Sequence, residues 1–163
     1  MAIKQSPVAR RDAGRKLAAL EAEGHRIIGR FLAAFAQLEF TIRFVLANQL
    51  RLPEEYFDIV TSPYDFAMLC TVTREIACIR NPADADAIKH LFNECHSLNT
   101  DRVRVAHGLW SFGENGPVAR HVPRASLTAK YYYEREGELN QLTDKAQELF
   151  QAVLTLGRGQ PKA

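Results

Sequence analysis

Hydrophobic residues recur at helical spacing along most of this chain. The longest pattern alternates steps of three and four residues, and its main seam consists of Ile28, Phe31, Phe35, Leu38, Ile42 and Val45. This spacing predicts a helix that begins near residue 16 or 25 and ends at Leu50, before Pro53. A second apolar stripe, Phe40, Phe44 and Ala47, lies on another face of the same helix. A helix that is apolar on two faces is usually covered on both, so the second face is a candidate dimer interface.

Three further segments show the same periodicity. One covers about residues 65–79, one begins near Ala83, and the last covers about residues 136–156. Proline-containing breaks at Pro63 and Pro82 separate the first two from their neighbours. The positions expected to face inward are Phe66, Leu69, Thr73 and Ile76; Ile88, Leu91, Cys95 and Leu98; and Leu139, Leu142, Ala146, Leu149 and Val153.

The period changes after Gly108. Asn115-Gly116 lies between two short apolar runs, which is typical of a hairpin, and residues 127–133 form a candidate third strand. The chain is therefore predicted to be mainly α, with four main helices and a small β-hairpin or meander at about residues 109–133, inserted before the last helix. The three tyrosines at 131–133, beside Lys130, can either stack nucleobases or pack inward.

Composition indicates one globular domain. The chain has 163 residues, 47% of them hydrophobic, which suffices for a core. We interpret residues 1–15 as a mobile basic arm or frayed helix, 16–157 as the domain and 158–163 as a loose tail. Three cysteines without a Cys-x-x-Cys pair indicate reduced thiols and a cytoplasmic protein.

Several classes of function find no support in the sequence. No run of about 18 apolar residues predicts a membrane span, and residues 1–16 do not resemble a secretory signal. Neither a phosphate-binding glycine loop nor a Glu-x-x-His metal motif occurs. His90 and Glu94 alone are too few ligands for a metal site. We therefore predict no cofactor and no metal.

Positive charge is concentrated in one region. The net charge is only +2, but residues 102–135 contain six lysines and arginines against two acids. Such a segment suits a polyanionic ligand, although a solvated basic surface would look the same. The candidate phosphate contacts here, outside the motif described next, are Arg120, Arg124 and Lys130.

Candidate chemistry is concentrated in residues 99–108. Arginine presents a planar fork that matches phosphate, and histidine exchanges protons near neutral pH. Arg102 falls where the preceding seam calls for a hydrophobic residue, so either the helix ends earlier or Arg102 has an anionic partner. That partner is a ligand such as phosphate, or an internal acid: Glu39, Glu94 or Asp101.

Two arginines compete for the phosphate-binding role. Arg102 and His107 are five residues apart, about 140° around a helix, so they share a face only if the backbone bends or the arginine reaches around. Arg104 lies three residues before His107 and would share its face. Elsewhere, Glu39 and Arg43 are spaced to pair on one helix, which favours a structural role.

The run from Arg102 to Ala106-His107-Gly108 resembles the Arg-to-His motif of the HEPN superfamily. These are small helical-bundle proteins, many of them metal-independent endoribonucleases of toxin–antitoxin and phage-defence systems. Residues 31–39 also look like the first long helix of such proteins, and the resemblance covers roughly residues 24–156. The chain departs from the family at Val103, where a polar residue, often Asn, is usual.

The resemblance implies RNA cleavage by attack of the ribose 2′-hydroxyl, in a homodimer whose motifs face one cleft. Arg102 and His107 would be catalytic, and Arg104 and Asn99 would join the basic segment in binding phosphate or RNA. Glu39, Arg43 and Asp101 would give structural support. RNA and a second copy are the implied partners, with an antitoxin or other protein also possible. The alternative is a non-catalytic dimeric module that binds protein, nucleotide or nucleic acid.

Overall fold

Five α-helices and a small sheet make up the described part of the protein. The computed structural model describes residues 7–114, 116–122 and 128–158, with side chains from residue 11 onward. The helices are α1 (Pro7–Leu50), α2 (Phe57–Thr61), α3 (Phe66–Arg80), α4 (Ala85–His107) and α5 (Glu138–Arg158). The strands are β1 (Leu109–Gly113), β2 (Gly116–His121) and β3 (Lys130–Tyr132). The predicted mainly α architecture, with a small antiparallel meander before the last helix, is confirmed.

Helix α1 begins well before the predicted start. It is continuous from Pro7, so residues 7–15, interpreted as a mobile arm or frayed helix, are helical, while residues 1–6 lie outside the described part. Residues 11–19 are all exposed, which explains why no periodic pattern of hydrophobic residues predicts a helix there. Gly24 does not interrupt the helix. A Cβ there would lie 2.2 Å from the Phe112 ring, so this glycine lets β1 approach α1 closely.

The core lies between α1, α3, α4 and α5. Most predicted inward positions are buried, and Phe31, Leu38, Ile42, Val45 and Val153 are completely inaccessible. The exceptions, which are half-buried, are Ile28, Ile76, Leu91 and Leu142. Phe92, which the predicted seam did not include, is also completely buried. By length and composition alone, part of α1 would suffice to cross a membrane, but half of that window is buried inside the protein, as in core helices.

Local signals account for the ends of the shorter elements. The Asp65 side chain accepts a hydrogen bond from the backbone N–H of Met68 at 2.8 Å and so caps α3. Pro53 is followed by a 3₁₀ turn, Glu54–Tyr56, which leads into α2. A second 3₁₀ turn, Pro82–Asp84, precedes α4, which therefore starts two residues after the predicted Ala83.

The sheet has the order β1-β2-β3 with antiparallel pairing throughout. Trp110, Ala119 and Tyr132 lie opposite one another and face the helices, and Ala119 is completely buried. Leu109, Arg120 and Tyr131 form the neighbouring row, and all three are exposed. The sheet therefore packs one face on the bundle and leaves the other uncovered by the described residues.

The three thiols should differ in reactivity. Cys70 and Cys95 are buried and Cys78 is half-buried. The hydrogen bond to Cys95, reinforced by burial, raises the pKa of Cys70 well above its ordinary value. A buried, protonated thiol is a poor nucleophile, so at pH 8 an aromatic disulfide reagent should modify only Cys78 in the native protein. All three should react after unfolding, and Cys78→Ser should abolish the fast reaction. Rapid modification of three thiols in the native protein would contradict this assignment.

Candidate functional site at the end of helix α4

The motif residues lie on the last turns of α4, which runs without interruption through His107. Of the two alternatives considered for Arg102, a helix that ends before this residue is therefore wrong. The helix ends at Gly108, whose backbone is extended, with φ −74° and ψ 145°. A Cβ at this position would lie 2.7 Å from the backbone oxygen of Arg104 and 3.1 Å from the Ala119 side chain. Glycine is thus needed where the chain turns from α4 into β1.

Arg102 is half-buried at the inward position that the seam predicts. Its guanidinium carbon lies 5.8 Å from the centre of the Phe35 ring on α1. That distance permits a cation–π contact, which partly compensates the loss of water. Within the described part of the chain, Arg102 forms no ion pair.

Each acid that was a candidate partner for Arg102 pairs with another cation. Glu39 pairs with Arg43 at 2.6 Å, as their spacing predicts. Glu94 pairs with Lys145 of α5 at 2.8 Å, and this hydrogen bond lowers the pKa of the Glu94 carboxyl. Asp101 pairs with Arg104 at 2.9 Å. The guanidinium of Arg102 therefore keeps its capacity to bind an external anion.

Arg43 has a clear structural role. Besides Glu39, it donates a hydrogen bond to the backbone oxygen of Thr61, and a longer one of 3.5 Å to that of Tyr64. It thereby holds the segment after α2 against α1. This agrees with the support role predicted for Glu39 and Arg43.

Arg104 is held on both sides. Its guanidinium carbon lies 4.5 Å from the centre of the Tyr132 ring, and its other contact is Asp101. The Tyr133 hydroxyl lies 3.3 Å from both the backbone oxygen and the carboxylate of Asp101, so its proton can be donated to either. Burial, followed by the charge of Asp101, raises the pKa of Tyr133. Arg104 therefore ties α4 to β3, and it is less available to phosphate than Arg102.

Tyr132, at the end of β3, and Tyr133, directly after it, both face inward, although the alternation of side chains along a strand would place only one of them on that face. Tyr133 has φ 64°, in the left-handed region that bulky residues rarely adopt, and the resulting turn lets its ring reach the bundle. The ring stacks on Trp110 at 5.8 Å between centres, and the Trp110 indole donates to the backbone oxygen of Val105 at 3.1 Å. Tyr131 remains exposed on the other face.

His107 is the last residue of α4 and is exposed, with no hydrogen bond to any described residue. On an uninterrupted helix it is about 140° around and about 7.5 Å along the axis from Arg102. One protomer therefore does not bring the two onto a common face of α4. Arg104 does share the face of His107, but its guanidinium is engaged with Asp101. Val103, also exposed, offers no hydrogen-bonding group.

Three of the remaining predicted contacts lie among the described residues. Asn99 is half-buried one turn before Arg102. Arg120 and Lys130 are exposed on β2 and β3, where Lys130 lies opposite His121. Arg124 lies outside the described residues. No group of three or more metal-binding side chains occurs among the residues that the structure describes.

Comparison with known proteins gives no match: no family model, no curated protein and no solved structure is similar to this chain. The functional argument therefore depends on the site itself.

Proposed function

We propose that this protein is a metal-independent endoribonuclease of the HEPN type, with Arg102 and His107 as its catalytic residues. The observation that carries the proposal is Arg102, a half-buried residue whose candidate internal anions are all paired elsewhere. This cation has no counter-ion among the described residues, and a phosphate group would supply one through charge-assisted hydrogen bonds. His107, the last residue of α4, is exposed and supplies a group able to transfer protons.

The proposed reaction needs only these two kinds of group. The ribose 2′-oxygen attacks the adjacent phosphorus, and the bond from phosphorus to the 5′-oxygen breaks, which leaves a cyclic phosphate and a 5′-hydroxyl. His107 would accept the 2′-hydroxyl proton or give a proton to the leaving 5′-oxygen. Arg102 would hold the phosphate and stabilise the charge that develops on its oxygens.

A dimer would resolve the divergence of Arg102 and His107 on one helix. Two copies meeting about a two-fold axis would contribute two of each residue to a common cleft, so phosphate binding and proton transfer need not come from the same α4. The apolar face of α1 is available for such contact, because Phe40 and Phe44 are 59% and 46% exposed. An antitoxin or other protein is a further candidate partner for this face.

Sedimentation should reveal the dimer. At micromolar concentration the wild-type protein is expected to sediment as a homodimer, and the double variant Phe40→Ser/Phe44→Ser as a monomer. Removing two exposed apolar side chains should leave the fold intact, since neither is part of the buried core. Ile79→Ser is the matched control, because Ile79 on α3 is 79% exposed. This substitution should leave the sedimenting mass of the dimer unchanged. A wild-type monomer throughout this range would refute the prediction.

A non-catalytic binding module is the second candidate. It is favoured by Arg104, which Asp101 and Tyr132 hold in place, and by the different faces that Arg102 and His107 occupy. In that case Arg102 would bind an anion without any proton transfer by His107.

Cleavage of RNA in the presence of EDTA tests the proposal. Purified protein is incubated with total RNA, and the fragment ends are analysed for cyclic phosphate. Cleavage that depends on His107 and requires free 2′-hydroxyl groups supports the proposal that the protein is a ribonuclease. RNA that is bound but left intact supports the binding module.

A further inference from the structure

The uncovered face of the sheet carries an ordered row of exposed side chains. Leu109, Arg120 and Tyr131 are direct cross-strand neighbours on β1, β2 and β3. Leu109 is 69% and Tyr131 59% exposed, and Arg120 is exposed between them. Neighbouring side chains in such a row are about 5 Å apart at their Cβ atoms. We call this row the outer sheet face.

Tyr131 is the one tyrosine of the three at 131–133 that the bundle does not use. The Tyr132 ring lies against the Arg104 guanidinium, and Tyr133 stacks on Trp110 and donates to Asp101. No aromatic contact involves Tyr131 among the described residues. Tyr131 is 59% exposed and its ring has no aromatic partner among the described residues, so it can accept a stacked base.

The charge around this row favours an anionic partner. In residues 109–122 and 128–133 the described charged side chains are Arg120, Lys130 and Glu114. Glu114, at the hairpin tip, pairs with Lys16 of α1, and this interaction lowers the pKa of the Glu114 carboxyl. Arg120 forms no ion pair within the described part of the chain. Its charge is thus not neutralised by any described residue.

We propose that the outer sheet face binds single-stranded RNA, with a base stacked on Tyr131 and the neighbouring phosphate held by Arg120. A flat exposed ring about 5 Å from an arginine matches the alternation of base and phosphate along an unpaired strand. An acidic peptide would use the charge but not the ring. A lipid surface would need a larger apolar area than one leucine and one tyrosine supply.

The outer sheet face would serve the proposed ribonuclease, and the choice of RNA as its anionic ligand rests on that proposed function. Leu109, at the end of the row, is two residues after His107, so their Cα atoms are at most about 7 Å apart. A strand that crosses from Tyr131 over Arg120 to Leu109 therefore leads toward His107. The outer sheet face would select unpaired RNA and position it for cleavage, whereas Arg102 and His107 act on the scissile phosphate.

Binding is best measured with an RNA that the enzyme cannot cut. A fluorescent 12-nucleotide oligouridine with a 2′-O-methyl group on every ribose lacks the attacking hydroxyl, so anisotropy reports binding alone. Tyr131→Ala is expected to weaken binding by about 5- to 100-fold, from the usual contribution of one stacked base. Tyr131→Phe keeps the ring and should bind like the wild type.

Salt dependence reports the phosphate contact separately. Arg120→Gln should reduce the slope of log affinity against log salt concentration by about 0.7, the contribution of one phosphate on a single strand. Two exposed residues elsewhere provide matched controls: Tyr56→Ala, because Tyr56 is 49% exposed, and Arg30→Gln on α1. Both should leave affinity and slope unchanged, and the fluorescence of Trp110 verifies folding of each variant.

The outcomes separate this inference from the catalytic proposal. Wild-type affinity in both Tyr131→Ala and Arg120→Gln would overturn the RNA platform, even if His107-dependent cleavage is observed. Loss of binding in these variants, without cleavage of unmodified RNA by the wild type, would support the platform and refute the ribonuclease. Tyr131-dependent binding of polyglutamate or anionic vesicles, but not of RNA, would also overturn it.

Discussion

Replacing His107 by alanine is expected to lower the rate of RNA cleavage by about 10²–10⁴-fold, the usual contribution of general acid–base catalysis. The unfolding temperature should stay close to that of the wild type, because His107 is exposed at the end of α4 and makes no hydrogen bond to a described residue. Single-turnover cleavage in EDTA measures the rate, and thermal unfolding measures stability.

His90→Ala is the matched control for that experiment. His90 is also an exposed histidine on α4, but it lies far from the motif, so its removal should leave cleavage unchanged. Full activity in a well-folded His107→Ala protein would eliminate the proposed site. If wild-type protein binds RNA without cutting it, Val103→Asn becomes the informative variant, since it restores the polar residue usual in the resembled motif.

Replacing Arg102 by methionine should separate catalysis from stability. Loss of a group that stabilises the developing charge is expected to cost about 10²–10³-fold in rate. The free energy of unfolding should stay the same or rise by about 1 kcal/mol, because Arg102 has no described ion pair to lose and methionine can pack on Phe35. Arg102→Lys should also be impaired, since an ammonium group lacks the planar two-point contact with phosphate.

Arg104→Met is the structural counterpart on the same helix. It removes the ion pair with Asp101 and the contact with Tyr132, so it is expected to lower the free energy of unfolding by about 1 kcal/mol. Denaturant unfolding, followed by Trp110 fluorescence, measures the free energy of unfolding of both variants. If Arg102→Met is as destabilising as Arg104→Met, and its activity follows the folded fraction, Arg102 is a structural residue.

The helices of the core could be predicted because burial imposes a periodic pattern. Phe31, Phe35, Leu38 and Ile42 recur at the spacing that one buried face requires, and all are buried. The first turns of α1 could not be found in this way. Residues 11–19 are helical but exposed, so their sequence records no packing partner. Hydrophobic periodicity detects burial, and helical structure only where the helix is buried.

The candidate site was predictable in its local part only. The seam correctly placed Arg102 on an inward position. Asp101, however, was considered only as a partner of Arg102, and in the structure it pairs with Arg104 instead. The pairing of Glu94 with Lys145 joins α4 to α5, and the contact of Arg104 with Tyr132 joins α4 to β3. Such contacts depend on tertiary packing, and no spacing in the sequence indicates them.

The unequal burial of α1 has a consequence for how unfolding is observed. Residues 11–19 of this helix are all exposed, and an isolated helical stretch of that kind is only marginally stable in water. This stretch should melt gradually on heating, ahead of the cooperative loss of the core. Far-ultraviolet circular dichroism would then show a sloping baseline that is not global unfolding. Trp110, the single tryptophan, is packed against Tyr133 at the junction of sheet and bundle, so its emission follows the cooperative transition alone.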